Sequence, residues 1–471
     1  MKKKRIHFVG VKGVGMAPLA IIAKEAGFEV SGCDVEEKFI TDVPLNKAGI
    51  SPQVGFTPEH IESVDMVIAT GAHGGFDNIE VKSAKEKNLK VLTHGEALGL
   101  FQSGDFFGKQ FYGISVAGSH GKTTTSAIFA TVLTANKMDP SFAIGTGNIP
   151  SLGSCGHFGK DKYFIAEADE YVNDSVYDKT PKFLFQNPKM IIVTNIDFDH
   201  PDVFKNIDHI REVFLKFANK LSPDGLLVVC GDGEENRKFI KAFDRRKVTY
   251  GFSEVNDYVI KRVSISSSRM FFWVKRDGIT LGEFSIQVFG EQNALDATAV
   301  IAGSLEIGLS IDQIKKGLTH FVGSKRRSEF IGNLPSGALL YDDYAHHPEE
   351  IKKTLNAFRK NFPKERITCI FQPHMYSRTK TLLSEFAKSF DDCDQVIITE
   401  IFPSFREEID PNFSARFLSD EVNNRNGKSI FIPRLSDVIE YLDRNPGNKH
   451  SVLITMGAGD VYKIGEELLK H

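Results

Sequence analysis

Short apolar runs alternate with stretches of helical period through the first hundred residues, the β-α-β rhythm of a parallel sheet covered by helices. Residues 5–10 predict a strand, 16–26 a helix closed by Gly27, 29–34 a second strand and 64–70 a later one. Residues 101–113, rich in Gly, Phe and polar side chains, predict a linker. A second unit follows, with a strand at 111–116, a turn through 117–121 and a helix over 122–136; strands at 163–166, 190–195 and 226–230 extend its sheet. Alternation of apolar and polar positions over 262–289 predicts antiparallel strands, then a helix over 293–307. A third unit starts near Gly323, with strands at 339–341, 368–371, 395–399 and 452–455 between helical stretches. The expected architecture is α/β in three domains, 1–108, 109–322 and 323–471.

The 471 residues suit two to four domains and rule out one small core. With 41% apolar and 25% charged residues the composition is that of a globular enzyme, not a disordered or fibrous chain. Lys plus Arg (58) against Asp plus Glu (61) leaves −3, so no excess of positive charge marks a nucleic-acid or membrane-surface binder, and any anionic ligand must be held locally. Neither kind of partner is expected, and the chain is read as a monomer or weak dimer. The 38 Phe are scattered through apolar segments and are expected in cores. Cys33, Cys155, Cys230, Cys369 and Cys393 are widely spaced and form no Cys-x-x-Cys pair, so neither a zinc knuckle nor a disulfide scaffold is indicated and a reducing cytoplasm is expected. The basic start, residues 1–5, is followed by too short an apolar run for a signal peptide, and no run is long enough to span a bilayer.

Two glycine-rich turns carry the first chemistry. In Gly10-Val-Lys-Gly13-Val-Gly15-Met16, between a strand and a helix, backbone N–H groups and the helix's positive end can face a phosphate. Asp34 ends the next strand, about where a dinucleotide fold keeps an acid for a ribose hydroxyl. Pro18 stands where the third glycine of that fingerprint belongs, so a phosphate ligand other than NAD is favoured over a nicotinamide site. The second turn runs Gly118-Ser119-His120-Gly121-Lys122-Thr123-Thr124 at another strand-to-helix junction. Gly-Lys-Thr is the core of a nucleotide P-loop: amides cradle phosphate, Lys122 neutralises its charge and the Thr123 hydroxyl can ligate Mg²⁺. Val116 replaces the usual first glycine, so the loop is shorter than the common form.

Acids and histidines follow neighbouring strands: Glu167, Asp169 and Glu170 in one cluster, Asp197, Asp199, His200 and Asp202 in the next. Glu167 and His200 are the metal candidates, where Mg²⁺ beside ATP would be held. In the third unit Lys325, Arg326 and Arg327 stand together, and Asp343, Tyr344, His346, His374 and Arg378 follow strands. An Arg there can offset charge on a transferring phosphoryl group, and a His or Asp can orient an incoming amine.

With these motifs in this order, the chain resembles the Mur ligases over nearly its whole length. The resemblance rests on residues 10–16, 117–125, 167–170, 194–200, 290–293, 325–327, 342–348, 371–379 and 457–460. It implies a Rossmann-like N-terminal domain holding a UDP-sugar, a central P-loop ATPase domain and a Rossmann-like C-terminal domain that brings the amino acid. Gly10, Gly13, Gly15, Met16 and Asp34 would then serve the UDP-sugar, and Gly118 to Thr124 the ATP phosphates, with Asn293 by the adenine. Thr123, Glu167 and His200 would serve Mg²⁺. Arg327 and Asp343 would reach the nucleotide, and Tyr344, His346, His374 and Arg378 would line the sugar-acid and amino-acid site. Lys122, His200, Arg327, Asp343, His346, His374 and Arg378 form the implied catalytic set.

The activity implied is ATP-dependent joining of L-alanine to the lactyl carboxylate of UDP-N-acetylmuramate through an acyl phosphate, in peptidoglycan synthesis. A tripeptide-recycling ligase on the same sugar is the alternative: residues 167–171 and 198–204 look like that branch, and residues 371–374 like the L-alanine branch. Lys12, Gln292, Asp296 and Met375 depart from the family pattern, which usually has Gly, His, Asn and Arg there.

Overall fold

A computed structural model describes residues 4–174, 176–198, 200, 203–266, 269–288, 290–403 and 407–470. The chain forms two compact units, Met1–Gln287 with Asn293–Lys325, and Val288–Gln292 with Arg326–His471.

The first unit holds two large sheets. One is five-stranded and parallel, ordered Gln53–Val54, Glu29–Asp34, Arg5–Val9, Met66–Ala69, Lys90–Thr93. Strand order reverses beside the first strand, which opens a crevice at its carboxyl end, where the first glycine turn lies. The other sheet has ten strands. Its parallel centre runs Leu226–Cys230, Met190–Val193, Tyr112–Ala117, Tyr163–Glu167, so the P-loop strand is flanked by the strands that carry the two acidic clusters. The meander Tyr258–Ser266, Arg269–Arg276, Ile279–Ile286 is antiparallel, as the alternation over 262–289 predicts.

Helix Met16–Glu25 is buried from Met16 through Ala23, without the polar stripe of a surface helix. It needs none, because Ile6 and Phe8 of the first sheet meet it on one side and Ala143, Cys155, Phe164 and Ala166 of the ten-stranded part complete the same core. Residues 101–113 differ from the predicted linker. Phe101 belongs to helix His94–Ser103, which a Thr93/Glu96 capping box starts. Phe106, Phe107 and Phe111 then pack with Phe101, Phe28, Phe158 and Phe164 at ring separations of 4.7–6.5 Å. Burial of these rings pins the connection, and accounts for part of the Phe content.

The second unit is a six-stranded sheet in the order Glu329–Asn333, Leu339–Asp343, Ser451–Met456, Arg366–Phe371, Gln395–Ile398, Ser429–Phe431. All neighbours are parallel except the first pair. All five cysteines are buried, and none is in a disulfide. No described helix is long and apolar enough to cross a membrane.

Candidate active site

The first glycine turn is built on the strand Glu29–Asp34. Gly10 and Val11 donate their N–H groups to the Cys33 carbonyl at 3.0 and 3.1 Å, and Lys12 N–H donates to Asp34 Oδ2 at 2.7 Å. The other Asp34 oxygen accepts Val35 N–H at 2.8 Å, and the side chain is 1% exposed. The Asp34 carboxylate thus supports the turn from beneath, with His73 Nε2 3.4 Å from its Oδ1. Lys12, in place of the family's Gly, folds away from the turn and donates to the Val35 and Glu37 carbonyls at 2.8 and 2.9 Å. Gly15 makes room for a close approach: a Cβ there would lie 2.8 Å from His94 Nε2, so the ring would have to shift. Pro18 lies buried inside helix Met16–Glu25, so no third glycine completes a dinucleotide fingerprint.

At the second turn the loop is held by the end of its neighbour strand. Ser119 N–H donates to the Asn195 carbonyl at 3.0 Å, His120 N–H to Asn195 Oδ1 at 2.8 Å, and the Thr194 hydroxyl to the His120 carbonyl at 2.5 Å. Gly118 has φ +138°, and a Cβ would fall 2.0 Å from Thr194 Oγ1. Helix Lys122–Ala135 starts from this loop, so its free N–H groups and positive end face whatever the loop encloses.

The Lys122 ammonium donates to the Gly118 and Ser119 carbonyls at 2.5 and 3.2 Å and to both Glu170 oxygens at 3.1 and 2.9 Å. Burial opposes its charge, but Glu170, and then Asp169, hold the ammonium above its ordinary pKa. Burial, joined by the Asp169 charge and opposed by Lys122, pushes the Glu170 carboxyl up to about 7. Asp169 goes the other way: burial would raise it, yet Lys182, 2.8 Å away, and Lys122 hold it well below the usual carboxylate range. Glu167 accepts from the Thr123 hydroxyl at 2.6 Å, with Gly145 N–H on its other oxygen. His200 Nε2 lies 3.7 Å from Glu170, and its ring meets Tyr171 edge-on at 4.9 Å. The Thr123 hydroxyl and Glu167 carboxylate beside the loop are oxygen donors of the kind that suits Mg²⁺, and the His200 imidazole adds a nitrogen nearby. Asp199 and Asp202 lie outside the described residues. Asn293 and Asp296 are buried near the start of helix Glu291–Glu306.

Two further residues emerge only here, His94 and Lys182, and Glu170, one acid of the cluster read from the sequence, is found holding Lys122. His94 Nε2 is 3.2 Å from the Gly15 carbonyl, and burial, then the Lys182 charge, push its pKa down to about 4. Lys182 pairs with Asp169, next in sequence to the Glu170 that holds Lys122. The hairpin Val172–Asp174 with Asp178–Pro181 ties the same region to the first sheet's helices: Asn173 Oδ1 accepts Gly95 N–H at 3.1 Å and Asp174 Oδ2 accepts Phe76 N–H at 3.0 Å. The Lys182 charge thus acts both on His94, at the first turn, and on Asp169, beside the second. Glu170 carried a legible signal, its place three residues after the end of strand Tyr163–Glu167; His94 and Lys182 carried none.

In the second unit Arg326 is buried against Asp342 at 2.9 Å and the Gly459 carbonyl at 3.0 Å, a structural placement. Arg327 lies over the Tyr344 ring at 5.1 Å. Asp343 accepts Ser328 and Ala345 N–H groups at 2.6 and 2.9 Å; burial raises its pKa against the charge of Arg327. The His346 ring packs edge-on against Tyr344 at 5.3 Å and His374 at 5.8 Å. Thus Arg327, Tyr344, His346 and His374 share one corner at the ends of strands Leu339–Asp343 and Arg366–Phe371. Met375 is buried at φ +70°, a conformation costly for a side chain, in the bend between His374 and helix Tyr376–Thr381, which carries the 3%-exposed Arg378.

Three family profiles match in chain order: "Mur ligase family, catalytic domain" over residues 5–104, "Mur ligase middle domain" over 116–303 and "Mur ligase, glutamate ligase domain" over 326–459. The chain is 38% identical over 467 residues to the UDP-N-acetylmuramate–L-alanine ligase of Desulfitobacterium hafniense, spanning 98% of this chain and 99% of that protein. The crystal structure of the UDP-N-acetylmuramate-alanine ligase of Thermotoga maritima matches with a TM-score of 0.81 at 25% identity, covering 99% of this chain and 98% of that one. A murein peptide ligase of Psychrobacter arcticus shares the fold, with a TM-score of 0.72 at 23% identity and coverage of 99% and 98%.

Proposed function

The chain belongs to the Mur ligase family, and from that premise we propose that it joins L-alanine to the lactyl carboxylate of UDP-N-acetylmuramate at the expense of ATP, in peptidoglycan synthesis. The observation that carries this reading is the Lys122 ammonium held by Glu170 at the mouth of the P-loop, with the Thr123–Glu167 pair beside it. The proposed division of labour is one module per substrate: 1–108 for the UDP-sugar, 109–322 for ATP and 323–471 for the amino acid.

A carboxylate is a poor acyl donor, so the γ-phosphoryl group of ATP passes to the lactyl carboxylate, leaving ADP and an acyl phosphate. The amino group of L-alanine attacks the acyl carbon, phosphate leaves, and the amine gives up its proton as the amide forms. Lys122 exchanges its Glu170 contact for phosphate oxygens and follows the charge during transfer. Loop amides from Gly118 to Thr124 cradle the phosphates. Thr123, Glu167 and His200 are the residues that would hold Mg²⁺, which supplies further neutralisation of the phosphates when bound. The first turn, Gly10 to Met16, receives the diphosphate of the sugar, with Asp34 fixing the turn. Asn293 serves the adenine. In the second unit Arg327 and Asp343 serve the nucleotide, and Tyr344, His346, His374 and Arg378 orient the acid and the amine. A cytoplasmic setting follows from substrates of this kind.

The test is phosphate release with ATP, Mg²⁺ and UDP-N-acetylmuramate, with and without L-alanine. Release should need both sugar and amino acid; release indifferent to either sinks the ligase reading. A parallel arm with L-Ala-γ-D-Glu-diaminopimelate separates the tripeptide-recycling activity, which should be the slower of the two.

A further inference from the structure

On the face of the first sheet turned away from helix Met16–Glu25, four side chains of metal-ligating type converge. His7 stands on strand Arg5–Val9 and Cys33 on its parallel neighbour; His7 pairs with Ser31 and Val9 with Cys33, so His7 and Cys33 lie on one face. Glu80 comes from helix Ile79–Glu86 and His60 from the short helix Pro58–Ile61. One ligand atom from each lies within 4.8 Å of all the others. His7 Nε2 is 3.0 Å from Glu80 Oε2 and 3.4 Å from Cys33 Sγ; Cys33 Sγ is 3.1 Å from Glu80 Oε2, and His60 Nδ1 is 2.8 Å from Glu80 Oε1.

The donor set is chemically selective. Two imidazoles, a thiol and a carboxylate suit a borderline-soft, four-coordinate cation far better than Mg²⁺ or Ca²⁺. Zinc bond lengths of about 2.0–2.3 Å put ligand atoms about 3.3–3.6 Å apart at the corners of a tetrahedron, within a few tenths of an ångström of the three contacts made by His7 and Cys33. A thiolate and a carboxylate cancel the two positive charges, so the loaded site is neutral in its apolar surroundings of Val9, Ile61, Val81 and Ala84. The orienting shell is present too: Ser31 Oγ lies 2.9 Å from His7 Nδ1, and Thr57 N–H donates to Glu80 Oε1 at 2.9 Å. His7, Cys33 and Glu80 are fully buried, whereas the His60 side chain is 12% exposed and gives an entry path.

We propose that His7, Cys33, His60 and Glu80 form a structural Zn²⁺ site in the N-terminal domain. Binding releases the Cys33 thiol proton to solvent and joins two strands and two helices through one ion. The Cys33 carbonyl also receives the Gly10 and Val11 N–H groups, so the ion would stiffen the base of the first glycine turn.

The test uses the full chain, stripped by chelator dialysis and reloaded with Zn²⁺ or Co²⁺ alone. One zinc per chain should survive gel filtration, and Co²⁺ should give a thiolate-to-cobalt charge-transfer band, which the proposed Mg²⁺ ligands, lacking sulfur, cannot produce. Cys33→Ser should abolish the band, and His60→Gln, at the exposed edge, should weaken zinc binding tenfold or more. Ser31→Ala, which keeps all four ligands, should weaken it by on the order of tenfold. Should Cys33→Ser fail to fold, His60→Gln and Ser31→Ala decide by zinc affinity. Absence of both the retained zinc and the cobalt band overturns the proposal, as does zinc affinity unchanged in His60→Gln and Ser31→Ala.

Discussion

The Lys122 ammonium rests 2.9 and 3.1 Å from the two carboxylate oxygens of Glu170. Glu170 thus holds the buried cation at the mouth of the glycine loop, and in the proposed mechanism phosphate oxygens replace that contact. The pair ties stability, pH response and catalysis to one contact.

Lys122→Ala should lower ligation on the order of a thousandfold or more, because the positive charge that follows the transferring phosphoryl group is gone. UDP-N-acetylmuramate affinity, measured by equilibrium titration, should stay within about twofold in the same variant. Loss of both together would contradict the division of labour between the two turns.

Glu170→Gln should alter how stability depends on pH. Burial pushes the folded carboxyl up to about 7 against an ordinary value of 4.5, so between those values the native state binds more protons than the unfolded chain. Its contribution therefore falls as pH rises through that window. Relative to wild type, the variant should gain on the order of 2–3 kcal/mol between pH 5 and 7.5 in urea denaturation. A difference that stays flat across that range refutes the raised carboxyl.

His157 should act as a pH-dependent tie within the first unit. Its Nδ1 is 2.7 Å from Glu25 on the buried helix and its Nε2 2.7 Å from Asp139, and those hydrogen bonds, the Glu25 one foremost, raise its pKa above 6.5 against partial burial. The stabilisation is complete below pH 6.5 and is lost as pH rises through the raised value. With its exposure discounted, wild type should lose about 0.5–1 kcal/mol more than His157→Phe between pH 6 and 8.5. Parallel melting curves for the two proteins would rule the tie out.

Gly118→Ala should disable the phosphate loop. A Cβ at φ +138° would meet Thr194 Oγ1 at 2.0 Å, so the loop must leave its hydrogen bonds to residues 194 and 195. ATP affinity should drop at least tenfold and stability by about 2 kcal/mol. Nucleotide titration and thermal melts check both, and normal ATP binding would remove the loop from the site.

Glu167→Gln weakens the donor set proposed for Mg²⁺. The Mg²⁺ concentration for half-maximal rate should rise tenfold or more, with partial recovery at high Mg²⁺. An unchanged Mg²⁺ requirement would exclude Glu167 as a ligand.

Much of the fold was legible because local pattern and tertiary role agreed. The strand at Glu29–Asp34, the helix opened by Lys122 and the meander over 262–289 all follow their periodicities. The linker reading of 101–113 differed because its rings pack against Phe28 and Phe158, about eighty and fifty residues away in the chain. Asp34 ends its strand where a ribose acid would stand, and its oxygens also accept the Lys12 and Val35 N–H groups, contacts that spacing alone could not reveal.

The sequence by itself determined which segments would be strands and helices, where both glycine turns fall and which family the motif order resembles, since each is written in residues close together along the chain. Only the tertiary structure decided that Glu170 holds Lys122, that His94 and Lys182 stand between the two turns, and that His7, Cys33, His60 and Glu80 meet. Five scattered cysteines gave no sign of a metal site, because its ligands come from four elements between His7 and Glu80. Such a constellation exists only once sheet register and helix packing have brought those elements onto one face.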